Sequence, residues 1–236
     1  MRLTALQLPA RFDEQEEQLA FAEALLESGP RTDLVLLPEA SLTGYVSPAG
    51  DFDLIHFAEP LEGPTRKSLA HLARRFDCLV VGPLIERADD AVFNALLGIA
   101  PDGTTLVHYR KHHPWFPEKW ATAGPGASPV VTWRERRLTC AICFDVHFLE
   151  ADAGPALDEA ELLLFPSAWV DDDEGDSRPP LLQALSEKHS VAVLNANWGQ
   201  GKPKLPGQGG SLFFDAKGAL QARLKPKTGR LDVTLP

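Results

Sequence analysis

The chain has 236 residues, 44% of them hydrophobic and 24% charged, the balance of a soluble globular protein rather than a disordered one. A formal net charge of −10 disfavours non-specific nucleic-acid binding, which rests on basic surface, and no apolar run approaches a membrane span. The length suits one large domain over 1–236, and no Pro/Gly/Ser-rich linker separates two self-sufficient halves.

Strands and helices alternate from the start. Leu3 to Leu8 reads as a strand, and Gln15 to Glu27 as an amphipathic helix with Leu19, Ala20, Ala22, Leu25 and Leu26 on its apolar face. Asp33 to Leu37 is a second strand, ended by Pro38, and Glu39 follows directly. Pro64 to Phe76 repeats the helical pattern and Cys78 to Gly82 the strand pattern. Val92 to Ile99 turns at Pro101-Asp102-Gly103 into Thr104 to Tyr109, a hairpin that leads to Lys111. Val130 to Trp133 and Arg137 to Cys143 are paired strands across a charged turn. Pro155 to Glu161 reads as a short helix, Leu162 to Phe165 as a buried strand ended by Pro166, Pro180 to His189 as a helix and Ser190 to Asn197 as a strand. The stretch 199–210, with five glycines and two prolines, is a loop by composition. This alternation, with hairpins, predicts an α/β sandwich with mixed sheets.

Three side chains stand just past apolar strands: Glu39, Lys111 and Cys143. A lone cysteine is more often a small core residue, and a lone Glu or Lys is usually exposed. Together they form a nucleophile with a base and a cation, the set that thiol chemistry needs to reach the thiolate. A carboxylate at a buried strand tip is partly desolvated, the environment of a general base. Cys140-x-x-Cys143 could be a redox pair or half a zinc site, but residues three apart on a strand face opposite sides and no second pair follows. His108, His112 and His113 lie in a strand-to-loop transition, so their spacing does not put them on one face. The run Asp171-Asp172-Asp173-Glu174-Gly175-Asp176 lacks the spacers of a calcium loop and reads as solvated. No Gly-x-Ser-x-Gly elbow and no phosphate-cradling Gly-Lys-Ser/Thr occur. The first residues carry no targeting pattern, and three cysteines, an odd number, predict reduced thiols in a cytoplasm.

The ordered set Pro38-Glu39-x-x-x-Thr43-Gly44-Tyr45, Tyr109-Arg110-Lys111-x-His113, Ile142-Cys143-Phe144-Asp145 and Phe165-Pro166-Ser167-Ala168-Trp169 resembles the carbon-nitrogen hydrolase (nitrilase) superfamily. The resemblance spans most of the chain and implies a four-layer αββα sandwich. It implies Glu39 as general base, Lys111 as electrostatic partner and Cys143 as nucleophile, with Glu118 positioning the lysine and the Phe144 backbone N–H helping to hold the oxyanion. Tyr45, Trp115, His147, Ser167, Trp169 and Asn197 are the substrate contacts it implies, with Trp169 and Asn197 equally readable as a core residue and a strand cap.

The reaction it implies is hydrolysis of a small linear carboxamide through a cysteine thioester, without metal or organic cofactor. The partners it implies are a small-molecule amide and further copies of the chain, in a homodimer or higher oligomer. The short Lys111 to Glu118 loop is similar to the biotinidase and vanin branch, whose secretion segment and extra C-terminal domain this sequence does not show. That similarity therefore implies an amide of a carboxylic acid rather than biotin amides or pantetheine. A nitrilase acting on C≡N, an amine-accepting acyltransferase and a non-catalytic binding protein of the same fold stay open.

Overall fold

Alternation along Leu34-Val35-Leu36-Leu37 sets the layers: Leu34 and Leu36 pack in one apolar core, Val35 and Leu37 in another. A computed structural model describes residues 1–126, 128–171, 173 and 175–236. The chain runs β1 (Arg2–Gln7), α1 (Gln15–Glu27), β2 (Leu34–Leu36), α2 (Pro64–Phe76), β3 (Leu79–Ala88), β4 (Ala91–Ile99), β5 (Thr105–Arg110), β6 (Val131–Trp133) and β7 (Arg136–Cys140). It continues through α3 (Leu149–Glu159), β8 (Leu162–Ser167), α4 (Arg178–His189), β9 (Ala192–Asn197), β10 (Leu212–Phe214), β11 (Leu220–Arg223) and β12 (Gly229–Thr234).

Two six-stranded sheets result, ordered β12-β1-β2-β3-β4-β5 and β11-β10-β9-β8-β7-β6. Each mixes a parallel centre (β1, β2, β3 and β7, β8, β9) with antiparallel flanks. One core joins Leu3, Leu36, Val81 and Leu96 of the first sheet to Leu138, Leu164 and Val193 of the second. Ala22 and Leu26 of α1 and Leu69 and Leu72 of α2 cover the other face of the first sheet. Leu157 of α3 and Leu182 of α4 pack with the second. The order is α, β, β, α, as the sequence resemblance implies.

Several boundaries differ from the sequence expectation, each for a local reason. The strand leading to the thiol ends at Cys140, not Cys143, because the Ile142 N–H bonds the Asp145 carboxylate and Cys143 takes a φ of 47°, which no strand holds. Conversely, β8 runs through Pro166 to Ser167. Its pairing with β7 ends at Leu164 while that with β9 continues to Ser167, so the missing N–H of Pro166 faces no strand. Pro83 inside β3 is tolerated the same way, two residues past the last β2 pair at Val81. Helix α3 begins at Leu149, before the predicted Pro155, and bends at Ala153. Helix α4 begins at Arg178, with its prolines in the first turn. In α1, Ala20 is exposed and Gln18 is buried, its Nε2 donating to Pro9 O and Ser41 O. Strands β10, β11 and β12 have no counterpart in the sequence reading. Of the acidic run, Asp172 and Glu174 lie outside the described residues, and Asp176 accepts from Arg178 and Arg223.

Candidate active site

The C-terminal ends of β2, β7 and β8 and the end of β5 bring Glu39, Cys143, Ala168 and Lys111 to one edge of the sandwich. A period of two turns Lys111 inward with Tyr109, while His108 and Arg110 face the other way. Lys111 Nζ donates to Glu39 Oε1 at 2.7 Å and to Glu118 Oε2 at 2.8 Å, and all three side chains have 0% exposure. Asn94 Nδ2 bridges the same carboxylates, 2.8 Å from Glu39 Oε1 and 2.8 Å from Glu118 Oε1. The Ala168 N–H donates to Glu39 Oε2 at 2.9 Å, and the Trp115 N–H to Glu118 Oε2 at 2.6 Å. Glu39 is thus fixed through both oxygens, and Lys111 is a buried cation with two acids.

Electrostatics follow from that ratio. Burial alone would pull the Lys111 ammonium down, but Glu118 and Glu39 outweigh it and hold the ammonium protonated. Glu118 is pushed up by burial, with the charge of Glu39 adding and Lys111 opposing. The Cys143 thiol is raised well above its usual value by burial and by Glu39, with Lys111 and a hydrogen bond from the Ala168 N–H opposing. This corrects the expectation of a lowered thiol: one cation does not offset desolvation plus two carboxylates. At neutral pH the sulfur carries its proton and needs a base at the moment of attack.

The nucleophile turn is built by Asp145. Its carboxylate accepts from the Ile142 N–H and Tyr109 Oη at 2.9 Å each and from the His113 N–H at 2.8 Å, tying the thiol turn to the lysine strand. Cys143 opens the 3-10 turn Cys143–His147. Both Cys143 (φ 47°) and Ala40 (φ 46°), beside Glu39, hold left-handed backbone, which costs about 1–3 kcal/mol per residue and collects at functional sites.

A cavity of about 320 Å³ opens onto Cys143, walled by Tyr45, Trp115, Phe116, Phe144, His147 and Trp169, among others. Four of the six predicted substrate contacts, Tyr45, Trp115, His147 and Trp169, line it. Ser167 and Asn197 do not. Both are fully buried: Ser167 Oγ and the Trp169 N–H donate to Asn197 Oδ1 at 3.0 Å each, while Asn197 Nδ2 donates to Gly207 O and Gly209 O. They hold the end of β8 to the 199–210 loop, a role their strand-end positions do not distinguish from substrate contact. A larger cavity of about 550 Å³, at the start of β7–β9, contains none of the predicted site residues.

Sequence reasoning missed Asn94, Asp145 and Phe116. Asn94 had a signal, a polar residue inside the apolar run Val92 to Ile99. Cys78 and Cys140 are core thiols raised by burial, Cys78 to about 12. Among the described residues, His112, His113 and Asp152 place one ligand atom each within 4.8 Å of one another, Asp152 coming from α3.

The sequence pattern of the carbon-nitrogen hydrolase family matches residues 2–235. An (R)-stereoselective amidase from a Pseudomonas species is 29% identical over 220 residues, 92% of this chain and 78% of the relative. An omega-amidase from Yersinia enterocolitica is 26% identical over 245 residues, 100% of this chain and 90% of the relative. A nitrilase-superfamily amidase from Nesterenkonia superimposes with a TM-score of 0.85 at 25% identity, over 100% of this chain and 92% of the other. Another structure of that enzyme shows acrylamide joined by Michael addition to its active-site cysteine.

Proposed function

The chain belongs to the carbon-nitrogen hydrolase family, and from that premise we propose that residues 1–236 act as one amidase domain with a Glu39, Lys111, Cys143 triad. The observation that carries the reading is the buried Glu39–Lys111–Glu118 cluster beside a thiol that opens a cavity. Glu39 takes the Cys143 proton as sulfur attacks the amide carbonyl, so thiolate forms only during attack. The oxyanion is held by Lys111 Nζ and by the Phe144 N–H, which stands in the first turn of a 3-10 helix that supplies it no acceptor. Glu39 then passes the proton to the leaving nitrogen, which departs as ammonia or an amine and leaves a thioester on Cys143. Water, losing a proton to Glu39, attacks the thioester; the C–S bond breaks, Glu39 returns the proton to sulfur, and the acid leaves.

Glu118 is a positioning residue: it bonds Lys111 and is itself oriented by Asn94 and the Trp115 N–H. Association into a homodimer or higher oligomer and a cytoplasmic location belong to the same proposal. The test is intact mass after rapid quench with a carboxamide, alongside ammonia release. A mass gain of one acyl group, lost in Cys143→Ala, is expected; ammonia release that survives Cys143→Ala overturns the reading.

A further inference from the structure

If Cys143 carries the acyl group, the walls around it decide which amides enter. Glu39, which would protonate the leaving nitrogen, does not line the cavity, and its oxygens are taken by Lys111, Asn94 and the Ala168 N–H. A substituent on that nitrogen would have to enter this buried, hydrogen-bonded region rather than the cavity. The open volume is walled by aromatic rings: Tyr45 stacks on Trp115, and Phe116 packs edge-on to Trp115 with ring centroids 4.9 Å apart. Phe116 is 77% exposed, an unusual fate for phenylalanine, and stands in the cavity wall.

The charge pattern of this wall is one-sided. Among the described residues it carries no Lys or Arg, its one carboxylate is Asp171, and burial pulls His147 towards the neutral form. The ammonium behind it, Lys111, already serves two carboxylates. A substrate carboxylate entering here would lose hydration with no cation to replace it, whereas an apolar group would meet aromatic faces.

We propose, on the basis of the amidase reading, that the cavity selects primary amides of uncharged apolar acids, aryl or branched alkyl, and that Phe116 sets the preference by covering the acyl group. The competing feature is Arg178, a fully buried guanidinium next to the wall residue Ser177. Its Nη2 donates to Asp176, Gly209 and Gly210, while Nε and Nη1 have no hydrogen-bond partner among the described residues. It does not line the cavity, so it is not counted as an anion receptor.

The experiment compares kcat/KM for phenylacetamide, isobutyramide, acetamide, succinamate and N-methylphenylacetamide. Phenylacetamide and isobutyramide are expected to exceed succinamate by roughly 100-fold, and phenylacetamide to exceed its N-methyl derivative by at least about tenfold. Phe116→Ala, at an exposed position where folding is readily verified by its melting curve, should cut the phenylacetamide to acetamide ratio about tenfold, through KM rather than kcat. Succinamate matching or exceeding the neutral amides overturns the proposal and assigns anion recognition to Arg178. An unchanged ratio in Phe116→Ala overturns the role of that residue. Absence of ammonia release from all four primary amides and of methylamine release from the N-methyl derivative, with no acyl mass on Cys143, instead refutes the amidase reading beneath it.

Discussion

Two ionic clusters lie back to back on the β3–β4–β5 hairpins, drawn from adjacent residues of one strand end. Facing the sandwich interior, one cation, Lys111, is shared by two carboxylates, Glu39 and Glu118. On the other face, one carboxylate, Glu86, is shared by two bases: Arg110 binds it at 2.6 and 2.9 Å and His108 at 2.8 Å. The ratio is inverted and so is the chemistry. Burial would raise Glu86, but the hydrogen bonds from Arg110 and His108 outweigh it and bring it to about 2, so it stays ionised. Glu118 moves the other way, raised by burial and by its acidic neighbour. A surplus of buried acid over cation raises an acid, while a surplus of base locks the acid into a structural tie.

The largest test of this contrast is a matched pair of neighbours. On the proposed mechanism, Lys111→Met should lower kcat/KM at least about 100-fold, since it removes the proposed oxyanion donor and leaves two buried carboxylates facing each other. Arg110→Met should lower the melting temperature while leaving kcat within a few-fold. A variant at 110 that abolished turnover without changing stability would erase the distinction. Glu118→Gln should cost roughly 10–100-fold in kcat by loosening the lysine, with little loss of stability because a buried negative charge has been removed.

Acid titration separates the clusters by sign. Glu86 has a folded pKa of about 2, below the unfolded value near 4.3, so its contribution is fully present above the unfolded value and is lost as pH falls through about 2. Urea unfolding of Glu86→Gln between pH 5 and 2 should therefore show a shallower acid loss, by on the order of 3 kcal/mol. An identical slope in the variant would sink the assignment. The smallest effect is expected at Ser167, whose hydroxyl ties β8 to Asn197: Ser167→Ala should cost about 1 kcal/mol in stability and leave KM unchanged.

Much of the fold was legible because binary pattern and punctuation agree. Helix α2 matches its predicted span Pro64 to Phe76, since Pro64 stands in its first turn and the left-handed Asp77 stops it. Where prediction failed, non-local pairing overrode local chemistry: Pro166 ends a strand only if the neighbour on its N–H side persists, and β7 does not. The meeting of Glu39, Lys111 and Cys143 at one sheet edge was legible because each follows an apolar strand. Ser167 and Asn197 met the same criterion and turned out to bind each other.

The residues alone carried the chemical inventory: which of the strands up to β9 have an acid, an ammonium or a thiol beyond their ends, and in what order. Tertiary packing set how the ammonium of Lys111 and the thiol of Cys143 titrate and which groups line the cavity. A pKa depends on the number and sign of charges within a few ångströms in a medium from which water has been removed, and residues 39, 94, 111, 118 and 143 share that medium only after two sheets have closed over them.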